Sequence, residues 1–125
     1  MRALSIRQPW AYMILHYGKD IENRTWPTNV SGRVLIHASK GMTKAEWYGA
    51  WRFAREDVGV DTSIRGSVAD MPFGGIVGSV EIVGCVQRSE SRWFEGPYGF
   101  VLRNPIVLPF RPLRGSLGFF TVEVV

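Results

Sequence analysis

A single cysteine, Cys85, stands in the 125 residues, which excludes an internal disulfide and any multi-cysteine metal site. Histidine is almost as scarce: His16 and His37 alone do not furnish an ordinary structural zinc site. No Gly-x-Gly-x-x-Gly, phosphate-loop, Cys-x-x-Cys or His-x-x-x-His pattern occurs, so neither a metal nor an organic cofactor is expected. No apolar stretch approaches the roughly 20 residues of a membrane span. Residues 1–7 lack the apolar centre of a secretory leader. The expectation is a cytoplasmic protein with no membrane partner. Internal repeats, low-complexity tracts and linkers are missing too, and the length suits one domain over residues 1–125. Cys85 lies in the apolar run 82–86 and reads as a buried small hydrophobe rather than a nucleophile.

What is present suffices for one core, since 46% of the residues are hydrophobic. Fifteen Lys and Arg against eleven Asp and Glu give a net charge of +4. That mild excess suits an anionic partner and equally suits an ordinary soluble protein. Five tryptophans are many for this size, and tryptophan favours cores and stacking surfaces.

Residues 3–6 alternate as a short strand. Pro9 then fits the first turn of a helix carrying Trp10, Met13, Ile14 and Tyr17 at helical spacing, ended by Gly18. Residues 21–24 read as a strand stopped by Trp26 and Pro27, and residues 33–38 as a central strand, apolar on both faces. Thr43 and Glu46 form a capping box for a helix running through Trp47, Ala50, Trp51 and Ala54 to about Asp57. A loop follows over 58–73, then one long strand over 75–86 with glycines at its bends. Residues 89–97 form a loop or short helix, 98–102 a strand, 104–114 a proline-broken edge and 117–124 the last strand. About six strands and two helices, with the helices early, indicate an α+β fold on a small mixed barrel.

Three blocks now stand out: Ser5-Ile6-Arg7-Gln8-Pro9-Trp10-Ala11, Lys19-Asp20-Ile21-Glu22-Asn23-Arg24, and Gly32 through Lys40. With Gly96-Pro97-Tyr98-Gly99-Phe100 and Gly115-Ser116-Leu117-Gly118-Phe119-Phe120, the chain resembles an ASCH domain, in the manner of small bacterial or phage ASCH proteins. The resemblance implies a PUA-like β-barrel with a cleft beside the first helix, and RNA as ligand. Some members look like amidohydrolases that deacylate N4-acetylcytidine, and others like ribonucleases. The amidohydrolase-like pattern reads Lys-x-x-Thr, with a glycine two places before the lysine. Here Glu22 stands at the threonine position and Gly18 directly precedes Lys19, so the hydroxyl nucleophile of that pattern is missing.

The candidate residues each carry two readings. On a strand, period two puts Glu22 and Arg24 on one face, where they orient a base edge or form a satisfied ion pair. Lys19 beside them contacts phosphate or, desolvated, acts as a base. Trp10 and Trp26 are stacking walls or packing. His37 and Ser39 share a face at a strand end, for substrate activation or for structure. Lys40, Tyr98 and the turn at Ser116 are ligand contacts or surface. Trp47 and Trp51 fit a packing stripe, while Arg52, Arg55, Arg88, Arg92, Arg103, Arg111 and Arg114 supply dispersed basic charge.

Three functions fit. The first is a binding module for single-stranded RNA or a modified nucleoside, in a basic cleft shared by Lys19–Arg24 and the His37–Lys40 strand end. The second is a small hydrolase, a ribonuclease or an N4-acetylcytidine amidohydrolase, using Lys19, Glu22, His37 and Ser39. The third is a non-catalytic, partner-binding barrel.

Overall fold

The structure is a computed structural model that describes residues 1–63 and 68–123. Its elements run β1 (Arg2–Ile6), α1 (Trp10–His16), β2 (Ile21–Arg24), β3 (Gly32–Ala38), α2 (Lys44–Arg52), β4 (Gly75–Val86), β5 (Tyr98–Pro112) and β6 (Phe119–Thr121). The six strands form one sheet in the order β2-β5-β4-β3-β1-β6. Only β1 and β3 run parallel; every other pair is antiparallel. Curled on itself, this sheet is the small mixed PUA-like barrel expected, open along the seam between β2 and β6.

Pro9 opens α1, where its missing N–H costs nothing. The buried Gln8 caps the helix instead. Its Oε1 accepts the Tyr12 N–H at 2.9 Å, and its Nε2 donates to the Pro72 carbonyl at 3.0 Å. Gly18, at φ +72°, turns the chain into β2 in the left-handed conformation that glycine adopts without strain. In α2 the capping box is complete: Thr43 Oγ1 accepts the Glu46 N–H at 3.1 Å, and the Thr43 N–H donates to the Glu46 carboxylate at 3.2 Å. Trp47, Ala50 and Trp51 form its buried face. The helix continues as a π-helical turn, Phe53–Val58, and stops at Gly59 (φ +90°). Residues 64–67 of the expected loop and Val124 of the expected last strand lie outside the described residues.

The reading of 104–114 as a separate proline-broken edge is corrected, because β5 is one strand through its prolines. Its ladder against β4 slips at three places, two of which lie between the Glu81–Arg103 and Ser79–Ile106 pairs and between the Gly78–Val107 and Ile76–Arg111 pairs. Pro105 and Pro109 fall inside these two irregularities, where a ladder N–H is not required. Gly78 has a packing role on β4. A Cβ there would stand 2.6 Å from the Ile106 carbonyl and 2.6 Å from Leu15, so its absence lets α1 lie close to the sheet.

The barrel interior is filled by Leu4, Ile6, Ile14, Val34, Ile36, Val80, Ile82 and Phe100. A second cluster, around Met13, Ile21, Trp47, Trp51 and Trp93, joins both helices to the barrel. Cys85 is half-buried rather than buried, and packs at the edge of the first cluster. Among the described residues no helix is long and apolar enough to cross a membrane.

Two stability tests follow from the α2 cap. Thr43→Ala is expected to cost about 1 kcal/mol, read from the urea midpoint at constant slope. Slight desolvation pushes the Glu46 carboxyl up, but hydrogen bonds from Thr43 and Arg7 and the Arg7 charge hold it below its ordinary value. That contribution is therefore present above the unfolded-state pKa and is lost as pH falls through the lowered folded one. The gap in midpoint between the native chain and Glu46→Gln is expected to close on acidification.

Candidate functional site

The turn at Gly18 folds Lys19 back under α1, where only 3% of it is exposed. Its Nζ donates to the Ile21 carbonyl and, at 3.1 Å, to Glu22 Oε1. The other Glu22 oxygen accepts from Arg24 Nε at 3.0 Å, since both residues project from one face of β2. Arg24 Nη2 then donates to the Ser5 carbonyl on β1 at 2.6 Å. Glu22 is 7% exposed. Charges this deep persist only when paired and hydrogen-bonded, and here each one is. Each cation also faces an indole, Lys19 at 5.3 Å from the Trp10 centroid and Arg24 at 5.7 Å from that of Trp26.

This cluster lies at the open seam of the barrel. Arg24 crosses from β2 to β1, and Trp26 packs edge-on against Phe100 of β5 and Phe119 of β6, with centroids 5.3 and 5.8 Å away. The two side chains close a gap that no ladder bridges. Trp26 is thus placed as a plug. Tyr98 sits opposite Arg24 in the β2–β5 register. Arg24, Trp26 and Tyr98 line neither of the hollows described next.

The sequence candidates divide between two hollows, which corrects the expectation of one shared cleft. The smaller, about 140 Å³, is walled by Trp10, Lys19, Glu22, Asn23 and Glu95. Asn23 builds its outer wall: its Nδ2 donates to the Trp93 carbonyl at 2.9 Å, and its Oδ1 accepts the N–H groups of Glu95 at 2.8 Å and Gly96 at 3.1 Å. Glu22 engages both Lys19 and Arg24, and Glu95 adds a second carboxylate, so this hollow offers phosphate no unmatched cation. It favours ligand N–H donors over phosphate.

The larger hollow, about 770 Å³, opens at the ends of β1 and β3 and under residues 112–117. Ser5, His37, Ser39, Lys40, Arg114 and Ser116 are among its walls, and among the described residues no carboxylate is. His37 is 4% exposed, and its Nε2 lies 2.6 Å from the Leu113 carbonyl. A carbonyl only accepts, so Nε2 carries the proton. Ser5 Oγ donates to the Ser116 carbonyl at 2.6 Å. His37 and Ser39 therefore stand apart from Lys19 and Glu22, with the Ser5–Arg24 contact between them.

Asn23, Glu95 and Gly115 were not singled out as site residues in the sequence, and Arg114 was noted only as one of several loop arginines. Asn23 had a signal, its place inside the Lys19–Arg24 block; Glu95 had none. Trp93, next to Arg92 in sequence, is buried in the core and offers no stacking face beside the loop arginines. Arg52 and Arg55 lie 3.9 and 3.8 Å from Glu56 on the exposed side of the helical segment.

The pairing of the buried cluster predicts strong coupling. Glu22→Gln and Lys19→Met are each expected to cost about 3–5 kcal/mol, because each leaves an uncompensated buried charge. The double variant is expected to cost less than the sum. Urea denaturation of the four chains checks this, and losses below about 1 kcal/mol would show the cluster to be dispensable for the fold.

Comparison with known proteins agrees with the motif blocks. The ASCH domain family model matches residues 4–107. Activating signal cointegrator 1 of Homo sapiens is 28% identical over 127 aligned positions, which take in 90% of this chain and 21% of that protein. The Mus musculus protein of the same name is 27% identical over the same shares. The chain thus spans about a fifth of the length of these relatives, and both are mammalian rather than bacterial or phage. With the match running from β1 into β5 and taking in the whole Lys19–Glu22–Arg24 cluster, the chain belongs to the ASCH domain family.

Proposed function

We propose that this chain binds single-stranded RNA, or a modified nucleoside within it, by admitting one unpaired base to the small hollow. The observation that carries the reading is the wall set of that hollow: the Trp10 indole together with the carboxylates of Glu22 and Glu95. Unpaired bases are recognised by stacking on an aromatic ring and by hydrogen bonds to their edges. Exocyclic amino and ring N–H groups would find acceptors here. The Lys19–Glu22–Arg24 pairing holds Glu22 in place before any ligand arrives, so little ordering cost remains. Membership of the ASCH family supports the nucleic-acid level of this reading, and the net charge of +4 suits a polyanion. The single free thiol fits a reducing, cytoplasmic setting.

Binding is favoured over hydrolysis by the same geometry. Both Glu22 oxygens are engaged by cations, and His37 and Ser39 line a different hollow. Retention of labelled single-stranded RNA on filters is expected to fall steeply between about 50 and 200 mM salt. Trp10→Ala is expected to weaken it by about 1–3 kcal/mol, the worth of one stacked base. Glu95→Gln, a change in an exposed loop, is expected to weaken it while leaving the melting curve unchanged. Retention that ignores salt and both substitutions would defeat the proposal. Release of product from N4-acetylcytidine or labelled RNA by the native chain, lost in Glu22→Gln, would replace binding by hydrolysis.

A further inference from the structure

We propose that the larger hollow is a phosphate subsite, seating a backbone phosphate of the strand whose base enters the small hollow; this rests on the nucleic-acid reading for the bearer of the phosphate. The first observation is charge. Lys40 and Arg114 stand on the hollow, no carboxylate lines it, and neither cation has an ion-pair partner among the described residues. The small hollow instead has its lysine already paired with Glu22 and carries the Glu95 carboxylate. One polyanionic ligand therefore has a place for its neutral, donor-bearing base and a separate place for its charge.

The second observation is that the larger hollow is built. The Lys40 stem lies across Gly74, where a Cβ would come within 2.7 Å of its Cε, so glycine leaves the groove in which the lysine rests. Gly74 is itself held between strands, its N–H donating to the Ala38 carbonyl at 2.7 Å and its carbonyl accepting the Leu113 N–H at 3.2 Å. On the far wall the imidazole of His37 grips the 113–115 segment. Its Nε2–H is given to Leu113, and Gly115 is so close that a Cβ would stand 2.5 Å from Cε1. His37 Nδ1 is buried without a partner among the described residues.

Size and position agree. A volume of about 770 Å³ lies inside the range of about 300–1,000 Å³ usual for small-ligand sites. Ser5 lines the larger hollow, and its carbonyl receives Arg24, whose partner Glu22 lines the smaller. The two hollows are thus joined through the hydrogen-bonded set Ser5, Arg24 and Glu22. Leu117, 98% exposed at the rim, offers an apolar edge to a ribose or base.

The two histidines make the test clean. His37 walls the hollow, while His16 packs at a tilt against Tyr12, with centroids 4.3 Å apart on α1. In imidazole NMR spectra of the whole chain at fixed pH, inorganic phosphate and cytidine 5′-monophosphate are expected to shift the His37 signals and not those of His16. Cytidine alone is expected to leave His37 unmoved. The Lys40→Met/Arg114→Met double variant is expected to melt like the native chain and to lose the His37 response. Its salt slope for a single-stranded oligocytidine is expected to be shallower by about one for each phosphate it no longer neutralises. Salt-sensitive oligomer binding with an unchanged slope in the double variant overturns this subsite and leaves the base-binding reading standing. A His37 response to phosphate without oligomer binding supports the anion subsite and overturns the nucleic-acid reading.

Discussion

Glu22 holds two cations at once, and the arrangement of the molecule depends on it. Lys19 arrives from the turn after α1, and Arg24 extends on to the Ser5 carbonyl of β1. One buried carboxylate thus fastens the helix, one edge of the sheet and a strand near its other edge to a common point. Removing three charges from water is expensive, and it is tolerated because every charge is met by another or by a carbonyl. The cost brings specificity of place: Lys19 and Arg24 have one arrangement that leaves nothing unpaired. The barrel seam, where no backbone ladder runs, is closed by this chain of contacts together with the Trp26 ring.

The same cluster explains why structural and functional readings of the motif need not compete. A carboxylate pinned from two sides cannot wander, so any ligand group that reaches it meets a fixed acceptor. Asn23 adds a second fixed element by holding the backbone of Glu95 and Gly96. Beyond the Ser5–Arg24 contact the balance differs, with two cations unmatched and no acid on the hollow among the described residues. The fold sorts charge by place.

Much of this was legible in the residues themselves. Helical spacing located α1 and α2, the Thr43–Glu46 pair marked a helix start, and period two put Glu22 and Arg24 together. These are local rules, satisfied within a few residues. The failures are long-range. Whether Pro105 and Pro109 break a strand depends on how the β4 ladder slips beside them, which no property of β5 alone reveals. Glu95 reaches the site because Asn23, 72 residues earlier, accepts its N–H. The division into two hollows depends on the curl of the sheet, which brings Arg24 onto Ser5 across 19 residues. Trp26, in a loop, stays open in sequence between stacking wall and packing, because the partners that enclose it come from β5 and β6.

The slipped, proline-bearing half of β5 has one more consequence. Beyond its pairing with β2, the strand borders only β4 and turns its other side outward, with Ile106, Val107 and Phe110 exposed. A straight margin of that composition is a template on which foreign strands stack and spread. Pro105, Pro109 and Pro112 delete donors from it, and the slips bend it out of plane, so an incoming chain finds no regular row to match. The irregularities that hid this strand in the sequence are also the features that oppose edge-to-edge stacking of folded molecules.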